Sequence, residues 1–200
     1  MLVLIALQKL ASSSIAAVRV ALETRLGRIS GVAAKYRVEL EHSDDIDESE
    51  DELENALRQW ETETKKGSLK LMENEIEHLQ QLVTSAGKIA NETRVGRVVQ
   101  VIKDRFAGEQ VLLFTEYKAT QSLVISALMS SYGSDCVGFI NGDDRLERVT
   151  FPDGQIRPMQ SKREDVAAAF NAGKIRFLVS TEAGGEGIDL QERCHCLIHV

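Results

Sequence analysis

A buried strand followed by a glycine-rich loop limits the folds open to this chain more than any other feature. The segment IRFLVSTEAGGEGIDLQ, residues 175–191, opens with an apolar run that predicts a strand covered on both faces of a parallel sheet. Gly184, Gly185 and Gly187 then let the backbone turn sharply and approach a ligand closely. Because ligands of open parallel sheets bind beyond the carboxyl ends of the strands, this loop is the leading candidate for a functional site. A plain turn between a strand and a helix is the alternative.

Strand and helix patterns alternate from Gln110 to the end of the sequence. Predicted strands lie at 111–114, 136–140, 175–180 and 196–200, and predicted helices at 118–132 and 163–171. Repeated strand-helix units imply a parallel, doubly wound sheet with right-handed crossovers. We therefore predict an α/β fold for residues 108–200, preceded by a helical region over residues 1–107.

Apolar residues recur at helical spacing in that first region. The serines from Ser12 to Ser14 offer an N-cap for a helix that follows them. A later helix carries an apolar stripe made of Leu69, Met72, Ile76, Leu79, Val83, Ala86 and Ala90. This stripe suits packing on a sheet, or a helical hairpin with the preceding segment around Leu53, Leu57 and Trp60.

A further helix is predicted from about Thr93 to Phe106. Its valines and Ile102 share one face, and the opposite face carries Arg94, Arg97, Lys103 and Arg105. Such a basic face is usually solvated, and contact with a phosphate backbone is the alternative.

The chain carries a formal net charge of −7, which is unusual for a partner of nucleic acid. Nine of its 31 Asp and Glu residues lie between Glu41 and Glu54, a stretch without Lys or Arg, so the remainder is slightly basic. The acidic stretch has too few apolar residues to offset the entropy of ordering, and it predicts a mobile linker at about 41–54. An acidic arm that mimics nucleic acid is the alternative.

The sequence predicts a cytoplasmic protein. Its opening, MLVLIAL, lacks a basic region and a cleavage site, and no apolar run has the length of a membrane span. Cys136, Cys194 and Cys196 form an odd and sparse set, which suits reduced thiols. Cys194 and Cys196 would share one face of a strand while His195 points to the other, so we expect no metal site there.

Three segments resemble motifs of superfamily-two helicases, in the form found in Swi/Snf-type DNA translocases. VSTEAGGEGIDLQ resembles motif V, VLLFTEYKATQ resembles motif IV, and SKREDVAAAF resembles the helix with an arginine and a phenylalanine that lies between them. The segments occur in the family's order between Gln110 and Val200. The resemblance implies that residues 108–200 form a second RecA-like motor domain, a parallel sheet flanked by helices. Since relatives continue into a further motif, it also implies truncation at the C-terminus.

The resemblance also implies roles for individual residues. Thr181 would contact the nucleic-acid backbone, with Thr115 and Arg163 as additional contacts. For Thr115 and Arg163, a strand-end cap and a solvated helix start are the alternatives. Gly187 and Asp189 would face the ATP ribose or couple the two sites.

Catalytic residues are absent from the sequence as we interpret it. The pair Gly87-Lys88 superficially matches a phosphate-binding loop, but Leu82 stands where that loop needs glycine. The acidic string from Asp51 to Glu54 follows no buried strand, so it does not predict a magnesium carboxylate. ATP and Mg²⁺ would therefore belong to a longer protein, neither being tightly bound by this chain alone.

The resemblance implies that this chain is part of an ATP-dependent double-stranded-DNA translocase. Its expected partners are duplex DNA and a first RecA-like domain of the same polypeptide. No membrane partner is expected. The parent protein would be an ATP hydrolase and this chain alone inactive. A non-enzymatic interaction module with a RecA-like fold is the alternative.

Residues 141–160 form a longer connection than most. Within it Pro152-Asp153-Gly154 separates VTF from QIR, which predicts a protruding β-hairpin. Arg145, Arg148 and Arg157 suggest a DNA-touching pin, and a surface elaboration is the alternative.

Overall fold

The computed structural model describes residues 12, 14–43, 52–89, 92–181, 187–190 and 192–200. The chain divides into two compact units, one containing the described residues of 1–18 and 89–200, and the other containing residues 19–88. The predicted boundary between residues 107 and 108 stays a prediction. Most of the acidic stretch, residues 44–51, lies outside the described residues, so the prediction of a mobile linker there stays open.

The second unit contains most of one long helix and all of another. Helix α1 spans Ile15–Ser43 and helix α2 spans Glu52–Gly87. They run antiparallel, because Arg25 pairs with Glu75 while Glu39, further along α1, pairs with Lys65, earlier in α2. The hydrogen bond and charge of Glu39 raise the pKa of Lys65. Both pairs are exposed to solvent, so each stabilises the unit only weakly.

The predicted hairpin within residues 53–90 is wrong. Leu53, Leu57 and Trp60 belong to the same continuous helix as Leu69. Between them the main helix-weakening residue is Gly67, which costs only about 1 kcal/mol, and no proline intervenes. Leu79 of the apolar stripe is buried, and ion pairs such as Arg25–Glu75 link α1 to this helix.

In the first unit, Ser14 caps the start of α1. The Ser14 Oγ accepts a hydrogen bond from the Ala17 N–H at 3.0 Å, as the serine run predicted. A carboxylate oxygen of Glu92 accepts the next orphan donor, the Ala16 N–H, at 3.0 Å. Two of the helix's first amides are thereby satisfied by side chains.

The remaining elements follow the predicted alternation. Helices are α3 (Thr93–Arg105), α4 (Lys118–Tyr132) and α5 (Arg163–Asn171), and a short 3-10 turn spans Ser134–Cys136. Strands are β1 (Val111–Phe114), β2 (Val137–Ile140), β3 (Arg145–Thr150), β4 (Ile156–Gln160), β5 (Phe177–Ser180) and β6 (Cys196–His199).

Four of these strands form one parallel sheet in the order β2-β5-β1-β6. Val111 pairs with Phe177 and with Cys196, and Val137 also pairs with Phe177, so the four strands start level. Their carboxyl ends consequently meet at one edge. The predicted α/β fold, RecA-like with helices flanking a parallel sheet, is confirmed.

Alternate residues of the strands enter separate cores on the two faces of the sheet. Leu113, Phe139 and Val179 join a cluster that includes Val99 of α3 and Leu128 of α4. On the other face, Leu112 and Leu178 pack with Phe170 of α5. This arrangement explains why the strands read as continuous apolar runs instead of alternating ones.

Strands β3 and β4 form the predicted hairpin, separate from the main sheet. Its five-residue loop contains Gly154 at φ +80, a backbone conformation that glycine adopts readily. The hairpin does not simply protrude, because Leu146 and Val149 are buried in the core beside α4. The Thr150 N–H also donates to Ser126 Oγ of α4 at 2.9 Å.

Candidate functional site

Three polar residues follow the strands directly at the carboxyl edge of the sheet. Thr115 follows β1, Asn141 follows β2 and Thr181 follows β5. The Thr115 N–H donates to Ser180 O at 3.0 Å, and the Thr181 N–H donates to Ile140 O at 3.1 Å. The parallel hydrogen-bond pattern therefore continues one residue past the strands and holds all three positions in register.

Thr115 differs from an ordinary strand-end cap. Thr115 is 3% exposed and Thr181 is 7% exposed. Within the described part of the chain, Thr115 Oγ1 is buried and has no hydrogen-bond partner. A buried hydroxyl without a partner costs about 1–3 kcal/mol, so native proteins seldom leave one without a reason. An oxygen of a bound ligand would satisfy it.

A fully buried glutamine lies under these strand ends. Gln121 of α4 donates through Nε2 to Ile140 O at 3.0 Å and to Val179 O at 2.8 Å. Its Oε1 accepts from Asn141 Nδ2 at 3.0 Å. The amide therefore links the ends of β2 and β5 to the residue that begins the next loop.

That loop is held to α4 by a second contact. Lys118, the first residue of α4, forms an exposed ion pair with Asp143. The Asp143 N–H in turn donates to Asn141 Oδ1 at 3.0 Å, the pattern of an Asx turn. The Lys118–Asp143 pair thus brings one positive and one negative charge to the same edge as the threonines.

Arg163 is the first residue of α5, and the structure brings the start of this helix to the edge as well. Ser161 Oγ donates to Phe139 O at 3.0 Å, and the Ser161 N–H donates to Asp144 O at 3.0 Å. The second bond closes the base of the hairpin. The inserted strands therefore leave Asn141 and Arg163 close to the end of β2, and Arg163 is half-buried there.

Gly187 and Asp189 lie in a turn after the glycine-rich loop, whose residues 182–186 are outside the described ranges. Gly187 has φ +76 and is exposed, with no atom within 4 Å of a Cβ built there. Asp189 is also exposed, and its backbone O accepts from Asn171 Nδ2 at 2.9 Å. This bond attaches the turn to the end of α5.

An open glycine two residues before an exposed aspartate suits contact with a sugar that has free hydroxyls, which is one part of a nucleotide.

No metal site is evident in the described part of the chain. Its residues contain no group of three or more His, Cys, Asp or Glu side chains suited to an ion. Cys194 Sγ donates to backbone oxygens of Cys196 at 3.3 Å and Gln110 at 3.5 Å. The thiol is thereby used within the fold.

The predicted DNA-touching arginines of the hairpin are largely engaged elsewhere. Arg145 pairs with Glu147, and Arg157 pairs with Asp153 while stacking over the Phe151 ring at 4.0 Å. The backbone N–H of Gln155, followed by the Arg157 guanidinium, lowers the pKa of Asp153. The role of these arginines toward DNA stays a prediction.

Sequence reasoning missed Gln121, Asn141 and Lys118 as members of the site. One signal was available for Gln121, because it precedes Val124, Ile125 and Leu128 by three, four and seven residues. It therefore occupies a buried position on an apolar helix face, where an amide needs partners.

Comparison with known proteins agrees with this geometry. The model of the helicase conserved C-terminal domain matches residues 93–199, more than half of the chain. The chain therefore belongs to the helicase conserved C-terminal domain family, and the resemblance to superfamily-two helicases is confirmed. The finer resemblance to the Swi/Snf type stays a prediction.

One relative is a protein of Bacillus subtilis (strain 168) named "Uncharacterized ATP-dependent helicase YqhH". It is 31% identical to this chain over 110 residues, which cover 55% of the chain. The matched region spans 16% of the relative's own length.

None of the helices in the described ranges is both long and apolar enough to cross a membrane.

Proposed function

We propose that this chain acts as the second RecA-like motor domain of an ATP-dependent, double-stranded-DNA translocase of Swi/Snf type. The observation that carries the proposal is the pair Thr115 and Thr181, adjacent at the carboxyl edge, with the Thr115 hydroxyl buried and without a partner among the described residues. Membership in the helicase family and the name of the Bacillus relative support it.

The threonines and Arg163 hold the nucleic-acid backbone. Hydroxyl groups and an arginine suit phosphate oxygens, and such contacts set register without reading sequence. Lys118 lies at the same edge, where it pairs with Asp143. The net charge of −7 is compatible with binding a polyanion, because nine of the acids lie in the stretch 41–54 and the remainder of the chain is slightly basic.

Gly187 and Asp189 contribute one wall of a nucleotide site. The Asp189 carboxylate accepts hydrogen bonds from ribose hydroxyls, and the open face of Gly187 lets the nucleotide approach the backbone. When bound with Mg²⁺, ATP supplies the phosphoryl group whose hydrolysis drives the motor. The phosphate cradle and the magnesium carboxylate belong to the first RecA-like domain of the same polypeptide, so this chain alone is inactive.

Coupling follows from where the two parts of the site are attached. Thr181 precedes the glycine-rich loop and Gly187 follows it, so one loop joins the DNA contact to the nucleotide contact. Closure of the two RecA-like domains on ATP would then shift the backbone contacts along the duplex.

Binding of labelled duplex DNA to this chain, measured by anisotropy at several salt concentrations, tests the DNA contact. We expect affinity to fall as salt rises, and Thr181→Ala to weaken binding by about tenfold. Thr64→Ala is the matched control, because its hydroxyl bonds Trp60 O in an exposed part of α2. Salt-independent binding, or equal effects of the two variants, would contradict the proposal.

Phosphate release tests the assignment to half of a motor. We expect none from this chain with or without DNA, and DNA-stimulated release once a first RecA-like domain is supplied in the same polypeptide. If such a polypeptide binds DNA without hydrolysing ATP, the non-enzymatic interaction module is the better description.

A further inference from the structure

The buried amide of Gln121 is unusual for its place in the fold. Gln121 lies in the first turn of α4 and is fully buried, in a row with Val124, Ile125 and Leu128, which are fully buried too. An apolar side chain of similar volume would pack there without polar partners. The amide therefore needs an explanation beyond packing, because a buried polar group stabilises a core only when it is fully hydrogen-bonded.

The Gln121 side chain makes three hydrogen bonds, and each reaches a segment that leads to the carboxyl edge. Nε2 donates to the last carbonyl of β2, Ile140 O, and to Val179 O near the end of β5. Oε1 accepts from Asn141 Nδ2. One side chain thus joins two adjacent strands just before Thr181 and the loop from Asn141 leave the sheet.

The loop is held further along by the same helix. Asn141 Nδ2 also donates to Arg145 O at 3.2 Å, and Asn141 Oδ1 accepts from the Asp143 N–H. Asp143 then pairs with Lys118, three residues before Gln121 and on the same face of α4. The first turn of α4 therefore contacts the loop 141–145 twice, through Gln121 to Asn141 and through Lys118 to Asp143.

The chemistry at this position is specific to glutamine. Two donors on one nitrogen are needed for the two carbonyl oxygens, and an acceptor on the same group is needed for Asn141. An ionised glutamate would oppose both carbonyls, and asparagine is one methylene shorter. A methionine has nearly the same shape and makes none of these bonds.

We infer that Gln121 is a positioning residue for the carboxyl edge. It sets the spacing between the end of β5, which carries Thr181, and the loop that carries Asn141 and Asp143, without touching the nucleic acid itself. The expected effect on DNA binding rests on the proposed function. The positioning of the strand end and the loop rests only on the hydrogen bonds of Gln121.

Gln121→Met is the main variant, and Thr120→Val is the matched control. Thr120 is the adjacent residue of α4 and is also fully buried. Its hydroxyl shares a 2.7 Å hydrogen bond with Ser14, the N-cap residue of α1, which is far from the strand ends in sequence. Both variants remove buried hydrogen bonds, so both should lower the free energy of unfolding. Binding is measured well below the unfolding temperature of each, where the chains are folded.

Duplex-DNA affinity is expected to fall by about tenfold in Gln121→Met, because displacement of Thr181 would cost about one hydrogen bond to a charged phosphate. Affinity is expected to stay unchanged in Thr120→Val. Gln121→Glu should lie between wild type and Gln121→Met, because its oxygen can still accept from Asn141. Equal losses of affinity in the methionine and valine variants, or no loss in either, would overturn the inference.

Amide hydrogen exchange separates this inference from the proposed function. The Thr181 and Asp143 amides, bonded to Ile140 O and Asn141 Oδ1, should lose protection in Gln121→Met while the amides of β1 keep it. If wild type binds no DNA, the proposed function fails and the exchange data still decide the positioning role. Unchanged protection at both amides would refute that role even if DNA binding is confirmed.

Discussion

Thr115 lies beside Thr181 at the carboxyl ends of two adjacent parallel strands, joined through the Thr115 N–H bond to Ser180 O at 3.0 Å. Both side chains are buried, and the Thr115 hydroxyl has no partner among the described residues. The strand pairing explains how residues 66 positions apart in sequence come to occupy one site. Because the Thr115 hydroxyl makes no hydrogen bond among the described residues, its effect on stability can be measured separately from its effect on DNA binding.

Thr115→Val should leave the free energy of unfolding unchanged or raise it by about 1 kcal/mol, because it removes a buried polar group that has no partner and keeps the shape. The same change should weaken duplex-DNA binding. Thr115→Ser, which keeps the hydroxyl, is the control for binding. Urea unfolding and anisotropy titrations check both parts, and a clear loss of stability in the valine variant would mean that the hydroxyl serves the fold.

Leu146 tests whether the β3-β4 hairpin belongs to the core. It is 2% exposed, whereas Ile156 of the same hairpin is 60% exposed. We expect Leu146→Ala to lower the free energy of unfolding by about 2–4 kcal/mol through the cavity it leaves. Ile156→Ala should change it by less than about 0.5 kcal/mol. Similar small effects in chemical unfolding would show that the hairpin is a mere surface elaboration.

Gly138 of β2 has no room for a side chain. A Cβ there would lie 2.7 Å from Ile175 Cδ1 and 2.8 Å from Val166 Cγ1. Gly138→Ala should therefore destabilise the protein by about 1–3 kcal/mol, and Val166→Ala should recover part of that loss in the double variant.

Gly96 of α3 is the matched control for that substitution. It is a helical glycine with nothing within 4 Å of the position that a Cβ would occupy, so Gly96→Ala should stabilise the protein by about 0.5–1 kcal/mol. Thermal and urea unfolding of the set give the comparison. Additive losses for Gly138→Ala and Val166→Ala would show that their contact does not limit the space.

Cys136 predicts a pH dependence. Burial raises the pKa of its thiol above the ordinary 9.0, although a backbone hydrogen bond and Arg176 oppose the shift. A raised pKa means that the neutral thiol contributes stability below pH 9.0, and that this contribution is lost as pH rises through the higher, folded-state pKa. Stability should therefore fall on the alkaline side.

Cys136→Ser removes this titration, so its stability should fall less than that of wild type between neutral pH and about pH 11. Comparing the two by urea unfolding cancels the titrations of tyrosine and lysine that they share. Parallel curves would show that ionisation of Cys136 is not linked to folding.

Much of the sheet was predictable because burial on both faces leaves a direct record in sequence. The runs VLLF and FLVS, and the helices at 118–132 and 163–171, were placed within two residues of their observed bounds. The long helix α2 was divided wrongly, although Gly67 weakens a helix by only about 1 kcal/mol and no proline lies between Leu57 and Leu69. The residues Gly187 and Asp189 were identified from the loop motif, and their roles stay proposals.

By itself, the sequence determined the class of fold, the order of strands and helices, and the threonines at two strand ends, because each depends on residues that are close in sequence. Tertiary structure alone decided the strand order β2-β5-β1-β6, and with it that Thr115, Asn141 and Thr181 share one edge. It also decided that Gln121 joins that edge from a helix, through hydrogen bonds to residues 19, 20 and 58 positions away. Contacts between residues so far apart in sequence form only when the strands pair and α4 packs on them. No local pattern of residue types predicts them.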